Sequence, residues 1–189
     1  MLKELVTKCR SYRRFDQSIS IPYEELADMV DTARLTGSTS NSQALKFKIL
    51  HTPQECADMF PYVVWAGALK DWDGPEAGER PSAYIVIACD LTLGRNKQWD
   101  DGITAQTIML SAVEKGYGGC MFGTCKRPEI IRLLGLDPER YTIDLVLALG
   151  KPKEEVTLVP VKEDGSTTYY RDENQVHYVP KRSLEDILL

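Results

Sequence analysis

The sequence predicts an α+β fold in which helices flank a central sheet. Two continuously apolar runs, Tyr84–Cys89 and Leu145–Leu149, are bounded by turn residues, as is typical of strands covered on both faces. We expect these two strands to pair inside one sheet. Segments with apolar residues at helical spacing lie before and between the two runs, and they supply the helices that cover the sheet.

The remaining elements follow from periodicity and from helix-start signals. Lys46–Leu50 alternates polar and apolar residues like a strand, and Thr52–Glu55 then has the form of a capping box with proline at the first helical position. Helices are also predicted from residues 2–9, from the segment behind Pro22, from Ile103–Lys115 and from Pro128–Gly135. Two stretches rich in turn or polar residues, Trp65–Ser82 and Glu163–Tyr178, are expected to be loops or hairpins.

The predicted helix Ile103–Lys115 is apolar on nearly all sides, and Gly116 follows to end it. Such a helix is expected to be buried all round. A chain of 189 residues has limited bulk to bury it, so a second subunit is expected to shield part of its surface. The alternative is an ordinary core helix.

Length and composition indicate one compact domain, residues 1–189, with 43% hydrophobic residues to fill its core. The net charge of −5, with both signs interspersed, argues against nucleic acid or an anionic membrane as the main partner. No apolar run approaches the roughly 18 residues of a membrane span, and the first residues lack the apolar core of a signal peptide. We expect a soluble, cytoplasmic protein.

The cysteines and histidines give little support to metal or thiol chemistry. The five cysteines are Cys9, Cys56, Cys89, Cys120 and Cys125. Their odd number and the absence of a Cys-x-x-Cys pair favour reduced thiols, and the two histidines form no metal motif, so no metal site is predicted. A thiol enzyme using Cys120 or Cys125 is a weaker alternative, because no neighbour that would lower a thiol pKa is identified.

Three short polar segments carry the strongest functional signal: Cys9–Phe15, Gly37–Gln43 and Pro180–Leu184. The first and last place basic residues beside a hydroxyl at opposite ends of an acidic chain. We expect them to converge on one phosphate, which would receive charge-assisted hydrogen bonds. The predicted phosphate ligands are Arg10, Ser11, Arg13, Lys181 and Arg182. With the middle segment supplying hydrogen bonds to the rest of a cofactor, the chain is predicted to bind a nucleotide or a flavin.

The order and spacing of these segments resemble the nitroreductase family, homodimeric oxidoreductases that use FMN and NAD(P)H. The resemblance extends over essentially the whole chain. It implies a mostly antiparallel central sheet, an intertwined homodimer, FMN as cofactor and NADH or NADPH as electron donor. In the family the first basic position of the N-terminal motif is arginine or histidine, whereas this chain has Cys9 there.

The resemblance also implies roles for residues in the middle of the chain. Ser38, Asn41 and Gln43 match the family's Ser-x-x-Asn-x-Gln, which meets the ribityl chain and the pyrimidine edge of the flavin. Amides suit that edge because they donate and accept hydrogen bonds at once. The glycine-rich segment Gly116–Gly123 is similar to one that passes over the flavin ring, so the amide N–H groups of Phe122 and Gly123 are expected to face the ring atoms N5 and O4.

The implied reaction is hydride transfer from NAD(P)H through FMN to a small acceptor, such as a nitroaromatic or a quinone, in ping-pong order. No side chain is needed as a nucleophile. Trp65, Lys70 and Arg80 are candidates for contacting substrate, and Trp65 or Trp72 for a lid or substrate wall. The alternative is a flavin-binding or redox-sensing protein without turnover, since the same contacts would serve binding alone.

Overall fold

The structure is a computed structural model that describes residues 1–66, 72–94 and 99–189. In chain order the helices are α1 (Leu2–Lys8), α2 (Tyr23–Arg34), α3 (Pro53–Met59), α4 (Asp100–Glu114) and α5 (Arg127–Leu133). The strands are β1 (Phe15–Asp16), β2 (Leu45–Leu50), β3 (Ala83–Asp90), β4 (Gly118–Phe122), β5 (Tyr141–Pro152), β6 (Val156–Pro160), β7 (Tyr170–Arg171) and β8 (His177–Lys181). Short 3₁₀ turns form at Thr39–Asn41 and Phe60–Tyr62.

The central sheet is antiparallel throughout, with the order β1-β5-β3-β2 and with β4 also paired to β5. Strand β3 is buried at every position, as its unbroken apolar run predicts. It pairs directly with β5, so Ala83 lies opposite Leu149 and Ile85 opposite Leu147. The predicted α+β fold and its antiparallel sheet are confirmed.

A second, smaller sheet carries the end of the chain. Strand β8 pairs in parallel with β6, placing His177 opposite Val156, and in antiparallel fashion with β7. The stretch predicted to be a loop or hairpin, residues 163–178, therefore contains the short β7–β8 hairpin. This sheet fixes the position of residues 177–181.

The helices begin where local signals predict. Helix α3 has Pro53 in its first turn, and the Thr52 hydroxyl accepts from the Glu55 amide while the Glu55 carboxylate accepts from the Thr52 amide. Helix α2 buries Leu26, Met29 and Ala33. No helix in the described parts of the chain combines the length and the apolar character needed to cross a membrane.

Helix α4 is only partly buried within one chain. Ile103 is 45% exposed, and Leu110 and Val113 are only partly covered. Within one chain, α4 packs mainly against α2, with smaller contacts to α1, β4 and β5. The apolar surface left open is the part for which a second subunit was expected.

Strand β4 was not predicted, because its glycines favour a turn. Both glycines are needed for packing: a Cβ on Gly118 would lie 2.5 Å from the Tyr12 ring, and one on Gly119 would lie 2.3 Å from the carbonyl oxygen of Ala148. These glycines let β4 fit between the N-terminal segment and β5. The close approach that these two glycines allow therefore serves packing between segments of the protein itself.

Candidate functional site

The two basic ends of the chain line one cavity of about 290 Å³, here called the first cavity. Arg10, Ser11 and Arg13 come from the N-terminal segment and Lys181 from the end of β8. The structure therefore brings four of the five predicted phosphate ligands together. Arg182, the fifth, is exposed and does not line this cavity.

The N-terminal segment is held against the central sheet by main-chain contacts. Ser11 forms a parallel bridge with Gly119, and the Tyr12 amide donates to the Gly119 carbonyl at 2.9 Å. Arg10 follows helix α1 and donates from Nη2 to the Val6 carbonyl at 2.6 Å. Strand β4 thus orients the segment that carries the arginines.

Several donors in the first cavity lack protein acceptors. Arg13 is 9% exposed, its Nη1 donates to the Ser11 carbonyl at 3.3 Å, and its guanidinium lies 4.9 Å from the Tyr169 ring centroid. The buried Nε atoms of Arg10 and Arg13 have no hydrogen-bond partner among the described residues. Buried donors of this kind are normally satisfied, and these two lie where an anion is expected.

A buried carboxylate ties the two ends of the chain together. Glu154, whose side chain is 2% exposed, accepts from the Arg13 and Arg14 amides through Oε1, the latter at 3.1 Å. Its Oε2 accepts from Arg171 Nη2 at 2.9 Å. The sequence does not single out Glu154, because neither its position nor its neighbours mark it as different from other glutamates.

His177 is the second residue that was missed. It lines the first cavity, is 1% exposed, and neither ring nitrogen has a partner in the described structure. Nδ1 lies 4.0 Å from Glu154 Oε2, beyond hydrogen-bond distance. Burial, helped by the positive charges of Arg13 and Arg171, lowers the pKa of His177 to about 4, so the imidazole is neutral near pH 7.

The middle polar segment, residues 37–43, is here called the polar loop. Ser38 and Gln43 line a second cavity of about 200 Å³, whereas Asn41 is exposed and accepts from Gln43 Nε2 at 3.2 Å. Ser40, Asn41 and Gln43 all have positive φ angles, of 52°, 52° and 49°. Non-glycine residues seldom adopt this conformation, and clusters of it occur mainly at functional loops.

Asp100 anchors the polar loop to α4. Its carboxylate is 2% exposed and accepts from the Thr39 amide at 2.9 Å and from the Thr39 hydroxyl at 2.8 Å. This contact fixes the loop near its start. An aspartate in the first turn of a helix is common, which is why the sequence does not single it out.

The two cavities lie on opposite flanks of α4. Asp100 and Thr104 line the second cavity, and Gln106 and Met109 line the first. At about 100° per residue, the first pair points to about 0° and 40° around the helix and the second pair to about 240° and 180°. One chain therefore presents its basic ends and its polar loop on different sides.

The other candidates lie beside these cavities. The Phe122 side chain is 4% exposed and packs edge-on against Trp65 at 4.7 Å, and the Gly123 carbonyl accepts from Arg127. Trp65 itself is 6% exposed within the core, and Arg80 stacks 4.1 Å from the Phe60 ring centroid. Lys70 and part of the predicted lid segment lie outside the described residues.

Four of the five thiols are not activated as nucleophiles. Burial raises the pKa of Cys9, Cys56, Cys120 and Cys125 above the usual range of a thiol. The described ranges also hold no group of three His, Cys, Asp or Glu side chains able to bind a metal ion.

Comparison with known proteins gives a consistent result. The Nitroreductase family model matches residues 6–151. YdgI of Bacillus subtilis, a predicted NAD(P)H nitroreductase, is 22% identical over 80% of this chain and 88% of its own length. The CLA biosynthesis enone reductase of Lactiplantibacillus plantarum is 23% identical over 82% of this chain and 87% of its own.

A solved structure agrees. A predicted nitroreductase from Exiguobacterium sibiricum, crystallised in complex with FMN, superposes with a TM-score of 0.70 and 19% identity over 82% of this chain and 89% of its own. The C-terminal residues 152–189 lie beyond the matched family range, so only the structure joins Lys181 to the N-terminal motif. The prediction made from the sequence is confirmed: the chain belongs to the nitroreductase family of oxidoreductases.

Proposed function

We propose that this protein is an FMN-dependent oxidoreductase that transfers hydride from NADH or NADPH to a small acceptor. One observation carries the proposal: the two ends of the chain line one cavity and present buried cationic donors without protein acceptors. Family membership and the FMN-bound relative support the same cofactor.

The residues of the first cavity fit a phosphate group. The unpartnered Nε atoms of Arg10 and Arg13 supply charged donors, and Ser11 and Lys181 add a hydroxyl and an ammonium group. A phosphomonoester carries nearly two negative charges at neutral pH, which this set balances. We assign phosphate binding to these four residues, with Arg182 as a weaker outer charge.

The remaining contacts are assigned to the polar loop and to the end of β4. Ser38, Asn41 and Gln43 offer hydroxyl and amide groups for the ribityl chain and the ring edge. Phe122 and Gly123 follow Met121, which lines the first cavity, so the main chain leaves β4 beside the phosphate site. Their amides are proposed to donate to the ring. When bound, FMN supplies the hydride-accepting centre, and the chain supplies its orientation.

A homodimer is the simplest way to bring a polar loop next to the first cavity. The polar loop and the basic ends lie on opposite flanks of α4, and apolar side chains are exposed on α1, on α4 and at the C-terminus. Those side chains are Val6, Ile103, Leu184, Ile187 and Leu188. We propose that a second copy covers them and brings its polar loop to the first cavity. Light scattering at low micromolar concentration tests this, and a monomer that still binds flavin would refute it.

Donor and acceptor are proposed to bind in turn at one site, which gives ping-pong kinetics. Nitroaromatics and quinones are the expected acceptors. The enone reductase relative supports adding activated alkenes to the set that is tested.

The deciding experiment is the visible spectrum of the purified protein, followed by chromatography of the released flavin. We expect FMN at about one per chain and steady oxidation of NADH or NADPH with an acceptor. A colourless protein that cannot be reconstituted would refute the proposal. A single reduction without turnover would indicate a redox sensor.

A further inference from the structure

His177 stands out among the polar groups of the first cavity. It is 1% exposed, it lines the cavity, and both ring nitrogens are without hydrogen-bond partners in the described structure. It also lies beyond the part of the chain that the family model matches. A buried imidazole without hydrogen-bond partners destabilises the folded protein unless a group from outside the chain supplies them.

The described groups around His177 form no hydrogen bond with its ring nitrogens. Glu154 is 4.0 Å from Nδ1, and both of its oxygens already accept from Arg171 and from the amides of Arg13 and Arg14. The Tyr169 ring meets the imidazole edge-on, with 5.2 Å between the ring centroids.

The charges that face the imidazole are mostly positive. Arg13 stacks on the Tyr169 ring, which itself meets the imidazole, and Arg171 lies opposite His177 in the β7–β8 pair while it donates to Glu154. Arg10 and Lys181 complete the lining on the cavity side, and Cys9 adds a thiol with a raised pKa, neutral near pH 7. Two cations, Arg13 and Arg171, therefore act directly on an imidazole that has one nearby carboxylate, and two further cations line the cavity that it borders. This field opposes a positive charge on the ring as long as no anion occupies the cavity.

We propose that His177 is a phosphate ligand of the first cavity and takes up a proton from solvent when a phosphate group enters. This inference rests on the proposed FMN function and goes one step deeper. A dianion would offset the field of the surrounding arginines and lysine, and an imidazolium donates from both nitrogens where a neutral ring donates from one. No covalent bond changes, and the only transfer is one proton from water to the ring.

The consequence is selectivity for a phosphorylated flavin, coupled to pH. Riboflavin lacks the phosphate, so it should bind without moving this proton. FMN affinity should fall as the pH rises through the range in which the bound protein holds the extra proton and the free protein does not. Inorganic phosphate alone should produce the same proton uptake, because it carries the same charge.

The direct test is NMR of the full-length chain labelled with ¹³C at histidine. The chain has two histidines, and His51→Gln assigns the two signals. In the flavin-free protein the His177 signal should be that of a neutral ring at pH 7. FMN or inorganic phosphate should raise its titration midpoint, and riboflavin should not. An unchanged midpoint with FMN, or an equal rise with riboflavin, would overturn the proposal.

Affinity measurements give an independent test. His177→Gln should weaken FMN binding about tenfold or more, the loss expected for a charged hydrogen bond, and should leave riboflavin binding within about twofold. His51→Gln is the matched control and should change neither. Equal FMN affinity in His177→Gln and in the unmodified chain overturns the role of His177 alone, whereas no flavin binding by the unmodified chain overturns the proposed function. If His177→Gln does not fold, the NMR titration of the unmodified chain decides.

Discussion

The first cavity and the polar loop differ in how firmly the protein holds them. The first cavity is built from β4, β8 and a buried carboxylate that joins both ends of the chain. The polar loop is tied to α4 through Asp100, and its three non-glycine residues with positive φ angles are all exposed to solvent. The difference teaches that one chain assembles the basic lining of the first cavity by itself, whereas its polar loop lies on the other flank of α4, where the dimer that we propose would be needed to unite the two regions.

The strongest way to break this comparison is to remove the carboxylate that joins the two ends. Glu154→Gln should lower the free energy of unfolding by about 3–5 kcal/mol, because Arg171 loses its charged partner in a buried pair. Urea unfolding measures the change. Glu155→Gln alters the exposed neighbouring carboxylate and should stay near the unmodified value. Equal stability of both variants would show that Glu154 does not join the ends.

Acidification tests the same region through His177. The pKa of His177 is about 4 in the folded protein against 6.5 for the free side chain. Between these two pH values the unfolded chain binds a proton at His177 that the folded chain does not bind. The stability of the flavin-free protein should therefore be full above pH 6.5 and fall by up to about 3 kcal/mol as the pH drops to about 4. His177→Gln should flatten this decline in urea unfolding across that range. A decline of the same slope in the variant would contradict the assignment.

Charge removal at the first cavity should weaken FMN binding without affecting riboflavin. Arg13→Ala or Lys181→Ala should each cost about 1.5–3 kcal/mol of FMN binding, as expected for a charged hydrogen bond. Quenching of flavin fluorescence gives both dissociation constants. Arg182→Ala is the matched control, because Arg182 lies next to Lys181 and does not line the cavity. A larger loss from Arg182→Ala than from Lys181→Ala would reverse the assignment.

Loosening the polar loop should have the smallest effect and should not discriminate between FMN and riboflavin. Asp100→Asn weakens the hold on Thr39, so FMN and riboflavin should both bind about 1 kcal/mol less tightly, the net value of one hydrogen bond. Asp101→Asn changes the next carboxylate of α4 and serves as control. A loss confined to FMN would place the loop at the phosphate, which would remove the distinction between the two regions.

The sequence predicted those helices and strands whose signals lie in a short run of consecutive residues. The apolar runs of β3 and β5 are each contained in a few consecutive residues, and so is the capping box at the start of α3. Strand β4 escaped prediction because its glycines favour a turn locally, and only pairing with β5 makes the segment a strand. Its strand character depends on contacts that no short window contains.

The candidate site divides in the same way. Arg10, Ser11, Arg13 and Lys181 were predicted because basic residues beside hydroxyls are visible in the sequence. The contacts of Glu154 with the Arg13 and Arg14 amides span about 140 residues, and those of Asp100 with Thr39 span 61. The sequence holds no pattern that pairs positions so far apart, so these two roles emerge only from the folded chain.

Lys181 reaches the N-terminal segment only because strand β8 pairs with β6 and β7 beside the first cavity. Under the proposed function, the two sides of the phosphate site come together only when this small sheet has formed. Opening of the small sheet alone would therefore release FMN while the central sheet stays folded.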